Sequence, residues 1–141
     1  MSRERVLSQP GRGDQVTVSW RKIGGRQTPA LAISLSRSVC ERLGLRKNDL
    51  GEMVRRVVVE RDRMAGKVWL QAAPPGTGRL ESRHIAWKDK GCTVAVPLDE
   101  VRLDKSKPAQ DVVWLIEDGW LEVKLPHWAC PLIQISGGKA A

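Results

Sequence analysis

The chain has 141 residues, 41% of them hydrophobic, with six Trp, three Cys, neither Phe nor Tyr, and a formal net charge of +8. That length suits one domain or two intimately packed halves, and the apolar content excludes a chain disordered throughout. No apolar run is long enough to span a bilayer, and the N-terminal stretch MSRERVLSQPGRGDQ lacks a signal-peptide core, so a cytoplasmic protein with no membrane role is expected.

Residues 1–14 read as a flexible basic arm carrying Arg3, Arg5 and Arg12. The Arg-Gly-Asp tripeptide at Arg12–Asp14 is taken as accidental in a chain without a secretory signal. Val16, Val18 and Trp20 then alternate with polar residues, the period of a half-buried strand. Gly24-Gly25 permits a tight hairpin, and Arg21, Lys22 and Arg26 cluster around it. Gly lets backbone approach a phosphate, and Arg binds one bidentately, so this loop is a candidate phosphate contact.

Ala30–Leu45 reads as a strand running into a short helix. Ile33 and Leu35 alternate with Ala32 and Ser34. Ser36 or Ser38 can cap the helix, with Glu41 as a capping-box partner of Ser38. Val39, Cys40 and Leu43 share a helical face, and Gly44 suits the C-terminal cap. Arg37, Arg42, Arg46 and Lys47 extend the basic surface. Leu50, Met53, Val54 and Val57 have helical spacing, although Gly51 weakens a helix there. Val57–Glu60 and Lys67–Gln71 read as a hairpin, closing a first unit over residues 15–73.

Pro74-Pro75, Gly76 and Gly78 mark residues 74–83 as a linker. Gly76-Thr77-Gly78 lacks the Gly-Lys-Ser/Thr of a nucleotide loop. A second unit spans residues 84–129. Ile85–Trp87 reads as a strand, Lys88–Gly91 as a turn and Thr93–Val96 as a strand. Pro97 suits a first helical position, and Leu98, Val101 and Leu103 give a short apolar face. A polar turn at Lys105–Pro108, a strand over Val112–Ile116, a hairpin at Asp118-Gly119 and a strand from Trp120 complete it. The strand–helix–hairpin order of the first unit is thus repeated about sixty residues on. Residues 130–141 read as a C-terminal tail, with Leu132, Ile133 and Ile135 as an edge strand.

Charge divides unevenly between the halves. Residues 1–90 hold 19 Lys/Arg against 9 Asp/Glu, and residues 91–141 hold 5 against 7. Such asymmetry points to a polyanionic partner for the basic part. Catalytic groups are sparse: two His, no nucleophile elbow and no metalloprotease motif. Cys40, Cys92 and Cys130 are too few and too widely spaced for a disulfide framework. His127 and Cys130 have a metal-ligand spacing, and only with His84 and Cys92 would they make four ligands. No enzyme activity, cofactor or bound metal is expected.

Ile33–Ser36, the Leu43-Gly44-Leu45 step and Arg46–Asp49 resemble the AbrB/MazE/SpoVT swapped-hairpin family. Ser36 stands where that family usually has Pro, and Asn48 where it has Gly. Pro97 matches the family's Pro, but the second unit lacks the Leu-Gly-Leu step. Two units in one chain also resemble the MraZ arrangement, without its Asp-x-x-x-Arg signature. The resemblance implies a mainly β, α+β fold in which the two units interlock as a pseudo-dimeric barrel. It also implies double-stranded DNA as partner, contacted by Arg21, Lys22, Arg26 and Arg37, with Lys88 and Lys90 at the matching loop of the second unit. The resulting expectation is a DNA-binding transcriptional regulator, monomeric as a pseudo-dimer or homodimeric. The alternative is a protein-interaction module, an antitoxin, adaptor or inhibitor, with Trp87, Trp120 and Trp128 as anchors.

Overall fold

The computed structural model describes residues 15–23, 28–47, 52–98 and 107–130. The arm, the Gly24-Gly25 turn with Arg26, Asn48–Gly51, the expected helix beyond Leu98, Lys105-Ser106 and residues 131–141 lie outside the described residues. The fold is mainly β, with one α-helix among the described residues and a curled antiparallel half-barrel sheet.

Strand β1 (Val16–Ile23) pairs with β2 (Thr28–Ser36) from Val16↔Leu35 to Ile23↔Thr28. The alternation puts Val16, Val18 and Trp20 on the same face as Leu31, Ile33 and Leu35, and all six are buried. Helix α1 (Arg37–Leu43) follows at once. Ser36 is its N-cap, with Oγ accepting from the Val39 N–H at 3.5 Å. Ser38 is therefore not the cap, and Glu41 pairs with Arg37 one turn back. Gly44 ends the helix at φ 81°, donating its N–H to the Glu41 carbonyl at 3.1 Å. Val39, Cys40 and Leu43 are buried against the sheet.

Strands β3 (Arg46–Lys47) and β4 (Glu52–Met53) form a separate two-stranded ladder. Met53 thus belongs to a strand despite its helical spacing. The Val54 N–H bonds the Leu45 carbonyl at 2.8 Å, closing the segment on itself where a helix through Gly51 is weak. The hairpin of β5 (Arg56–Asp62) and β6 (Lys67–Ala72) turns on Asp62, whose Oδ1 accepts the N–H groups of Met64 and Ala65 at 3.0 Å. The linker that follows contains a 3-10 turn at Arg79–Glu81. Arg56 fastens this stretch, donating from Nε to Ser82 Oγ at 2.6 Å and from an Nη to the Ser82 carbonyl at 2.9 Å.

Strands β7 (Arg83–Lys88) and β8 (Gly91–Val96) form the next hairpin. Strand β9 (Lys107–Asp111) lies on the sheet edge, and β10 (Trp114–Glu117) and β11 (Trp120–Lys124) make the last hairpin. Asp118 and Gly119 both have positive φ, 54° and 80°, as a two-residue type I′ turn requires.

Strand β9 departs from the sequence reading, which places a polar turn at Lys105–Pro108 and a strand from Val112. Lys107–Asp111 pairs with β1 instead, Val112 and Val113 interrupt the ladder, and the strand resumes at Trp114. All five β9 residues are exposed, so no apolar alternation marks them, and Pro108 is tolerated because the strand is an edge. Pro97 and Leu98 are not helical, and Leu98 is buried directly after β8.

The sheet order is β10-β11-β6-β5-β7-β8-β2-β1-β9. Hairpins β1–β2 and β7–β8 join through their second strands, with Ile33↔Val94 near the middle. Hairpins β5–β6 and β10–β11 likewise join through their second strands, with Leu70↔Leu121. The start of β5 pairs with β7, the opening strand of the other half, and β9 pairs with β1. The pairing is therefore reciprocal, and one hydrophobic core runs through both halves, from Val16 to Cys130.

Gly91 makes the β2–β8 join possible. It has φ 153°, and a Cβ there would overlap the Leu35 carbonyl oxygen. Gly91→Ala is expected to lower unfolding free energy by about 3 kcal/mol through backbone displacement. At Gly76 a Cβ meets open space at φ 88°, so Gly76→Ala is expected to cost only about 1 kcal/mol. Urea unfolding of both variants, compared by midpoint at constant slope, checks this order.

Candidate functional site

The end of the β2–β8 join opens into a groove of about 720 Å³. Four backbone and side-chain bonds build its walls. The Ser36 N–H donates to the Gln15 carbonyl at 2.9 Å, and the Gln15 N–H donates to Ser36 Oγ at 3.0 Å. The Arg37 N–H donates to the Lys90 carbonyl at 2.9 Å. Ser34 Oγ and Thr93 Oγ1 share a hydrogen bond of 3.1 Å across the β2–β8 pair. These bonds set the start of α1 beside the β7–β8 turn, although more than fifty residues separate them.

Three of the cations picked out in the sequence meet here. Arg37, Lys88 and Lys90 line the groove, and all three are exposed. Glu41 and Asp89 line it too. Arg37 Nε lies 3.6 Å from Glu41 Oε1, an exposed pair with Arg on the N-terminal side, the weaker helical order. Such a pair is worth a few tenths of a kcal/mol at most, so an incoming anion can take the guanidinium from the carboxylate. The hydroxyls of Thr17, Ser34, Ser36, Ser38 and Thr93 supply further hydrogen-bonding groups along the same walls. Sequence reading missed these. For Ser34 and Ser36 the signal was the polar half of the alternation in Ala32–Ser36, whose direction only the pairing defines.

Arg21 and Lys22 are exposed on β1 but do not line this groove. Arg21 is opposite Ala30, four residues along β1 from Thr17, or about 13 Å at strand spacing. Arg26 lies outside the described residues. Arg42 is engaged elsewhere: its guanidinium carbon sits 5.2 Å from the centre of the Trp114 ring, a cation–π contact between α1 and β10.

The tryptophans divide into two groups. Trp87 donates from Nε1 to the Val54 carbonyl at 2.8 Å, and Trp128 donates to Gln110 Oε1 at 2.9 Å while meeting Trp20 edge-on at 6.4 Å. Both pack against the core. Trp120 instead faces an open pocket with Trp69.

Under the groove, Cys40 of α1 and Cys92 of β8 place their sulfurs 3.4 Å apart, both buried. The thiol–thiol hydrogen bond, then burial, then the neighbouring sulfur all push the Cys92 thiol far above its ordinary range. Cys130 is a separate case. Its Sγ donates to the Leu125 and Pro126 carbonyls, and burial raises it against a lowering influence of Arg61. Among the described residues, no group of three or more His, Cys, Asp or Glu side chains is arranged to hold a metal ion.

Comparison with protein-family models, with curated proteins and with solved structures finds no match for this chain.

The Cys40–Cys92 contact predicts a pH dependence of stability. In the unfolded chain a thiol ionises near about pH 8.5, whereas folded Cys92 keeps its proton well beyond that. The unfolded state thus binds fewer protons once pH exceeds the unfolded value, and stability falls as pH rises further. The expected slope is about −1.4 kcal/mol per pH unit for one such thiol, flat below about pH 8. Urea unfolding from pH 7 to 10 reads it, and Cys92→Ala is expected to lessen the decline, leaving the part that the raised Cys130 thiol contributes.

Proposed function

We propose that this chain is a small, non-enzymatic DNA-binding protein that acts as a transcriptional regulator, with the basic groove as its phosphate contact. The observation that carries this reading is the convergence of Arg37, Lys88 and Lys90 on one open groove lined by hydroxyls. A DNA strand offers a row of anionic oxygens that accept hydrogen bonds, and cations with flanking hydroxyl donors are what such a row binds. The surplus of Lys and Arg over residues 1–90 supports a polyanion as the partner. Arg21 and Lys22, further along β1, extend the cationic surface in the same half of the sheet.

We further infer that the two halves form a swapped-hairpin-like pseudo-dimer. Support comes from the reciprocal pairing, in which the β5 and β9 segments each lie on the first strand of the opposite half. Such an arrangement needs no second chain to complete its core.

The test is fluorescence anisotropy with a labelled mixed-sequence duplex across a salt series. The wild-type protein is expected to show a log–log slope of several units. Replacing Arg37, Lys88 and Lys90 together by Ala is expected to reduce that slope by about 2 to 3 and to weaken binding about 10- to 100-fold. Arg21→Ala with Lys22→Ala is expected to give a smaller loss of both. A folded triple variant with unchanged affinity and slope overturns the assignment of the groove.

A further inference from the structure

The half of the sheet away from the basic groove carries an exposed face of the opposite character. Glu60, Trp69, Glu122 and Leu115 stand directly opposite one another on β5, β6, β11 and β10. Alternation puts all four on the face turned from the core, since Val59, Leu70 and Leu121 occupy the other side. Two residues along, Trp120 of β11 is opposite Glu117 of β10 on that same outer face. Asp118 in the hairpin turn closes one end. Together these residues line an open pocket of about 340 Å³.

Trp69 is therefore flanked by a glutamate on each neighbouring strand, and Trp120 has one opposite it. Directly opposed side chains in antiparallel strands approach to about 5 Å. An indole face is negative at its centre, and a carboxylate beside it adds full charge, so both attract the same thing. Lys67 is paired with the pocket, its Nζ 3.6 Å from Glu122 Oε1. Leu115 is left 42% exposed beside the glutamates. Aromatic planes bordered by carboxylates are complementary to a flat, delocalised cation with an apolar stem. Arginine has that form: its guanidinium stacks on aromatic faces and bridges carboxylates bidentately.

We propose that this face is a docking site for an arginine-bearing segment of a partner protein. One guanidinium stacks on Trp69 or Trp120 and hydrogen-bonds the flanking glutamates, while its methylenes cover Leu115. The proposal is independent of the nucleic-acid reading, because the pocket repels phosphate and shares no residue with the basic groove.

The test uses the full chain and a hexa-arginine peptide, read by tryptophan fluorescence and by calorimetry at low salt. One peptide is expected per chain, with hexalysine binding several-fold more weakly because ammonium stacks less well. Glu60→Gln with Glu117→Gln changes exposed charges without changing shape, and is expected to weaken hexa-arginine binding about ten-fold. Trp69→Leu is expected to weaken it comparably and to remove the preference over hexalysine. The Arg37, Lys88, Lys90 triple Ala variant is expected to bind the peptide as the wild type does, so failure of one assignment is distinguishable from failure of the other. No binding by the folded protein, or binding indifferent to the glutamate and Trp69 variants, overturns the proposal. So does a chain dimer in sedimentation that the same variants abolish, since the occupant would then be a second copy.

Discussion

The join between β2 and β8 is the constraint on which the rest of this molecule depends. Six consecutive pairs from Leu31↔Val96 to Ser36↔Gly91 bind residues about sixty positions apart. Closing the last pair requires the backbone at position 91 to pass against the Leu35 carbonyl, which excludes any side chain there. Once that contact is made, the Lys90 carbonyl meets the Arg37 N–H, and α1 starts beside the β7–β8 turn. The same contact brings Cys92, which lines the groove, against the buried Cys40, so a close-packed thiol pair lies beneath the join. Fold closure and assembly of the basic groove are one event, not two.

What could be read from the sequence follows the range of the interactions. The strand–helix step at Ala30–Leu45 is encoded locally: alternation buries Ile33 and Leu35, Ser36 caps, and Gly44 supplies positive φ. The Asp118-Gly119 hairpin is equally local, its two positive φ values suiting Asp and Gly. Strand β9 was illegible because an edge strand exposed on both faces has no apolar period to read. The groove was half legible. Arg37, Lys88 and Lys90 stood out as cations, but their convergence is a property of register, and a slip of one residue would turn Ser34 and Thr93 toward the core. Nothing in the sequence separated Arg42 from its neighbours, because its partner Trp114 is seventy positions away.

Charge is segregated along the same sheet that unites the halves. The cations of the groove lie where β2, α1 and the β7–β8 turn meet, and the glutamates lie on the outer face of β5, β10 and β11. Neither cluster neutralises the other, since each sits on its own part of the sheet. A single hydrophobic core is shared by the strands that carry both. On the proposed readings, the protein presents an anion-binding end and a cation-binding face on one rigid scaffold, which is the requirement for holding a protein partner while bound to DNA.

The pairing is reciprocal, yet the groove is not. In the first half the residue ending β2 is Ser36, which gives its N–H to Gln15 and accepts at its hydroxyl from Gln15 and Val39. The second half has Pro97 at the matching position, with no N–H to donate and no hydroxyl to accept. The next position is Arg37 in one half and the buried Leu98 in the other. One substitution removes the bonds that form the wall, and the other replaces the cation by an apolar side chain turned into the core. The chain therefore carries one such groove among its described residues, not a symmetric pair. On the proposed reading this has a consequence in stoichiometry: the described residues of a lone chain offer one such phosphate contact, whatever the symmetry of its strands. If the groove is the whole of the proposed phosphate contact, reading two half-sites of a palindrome takes two chains, and the oligomeric state on DNA follows the operator rather than the fold.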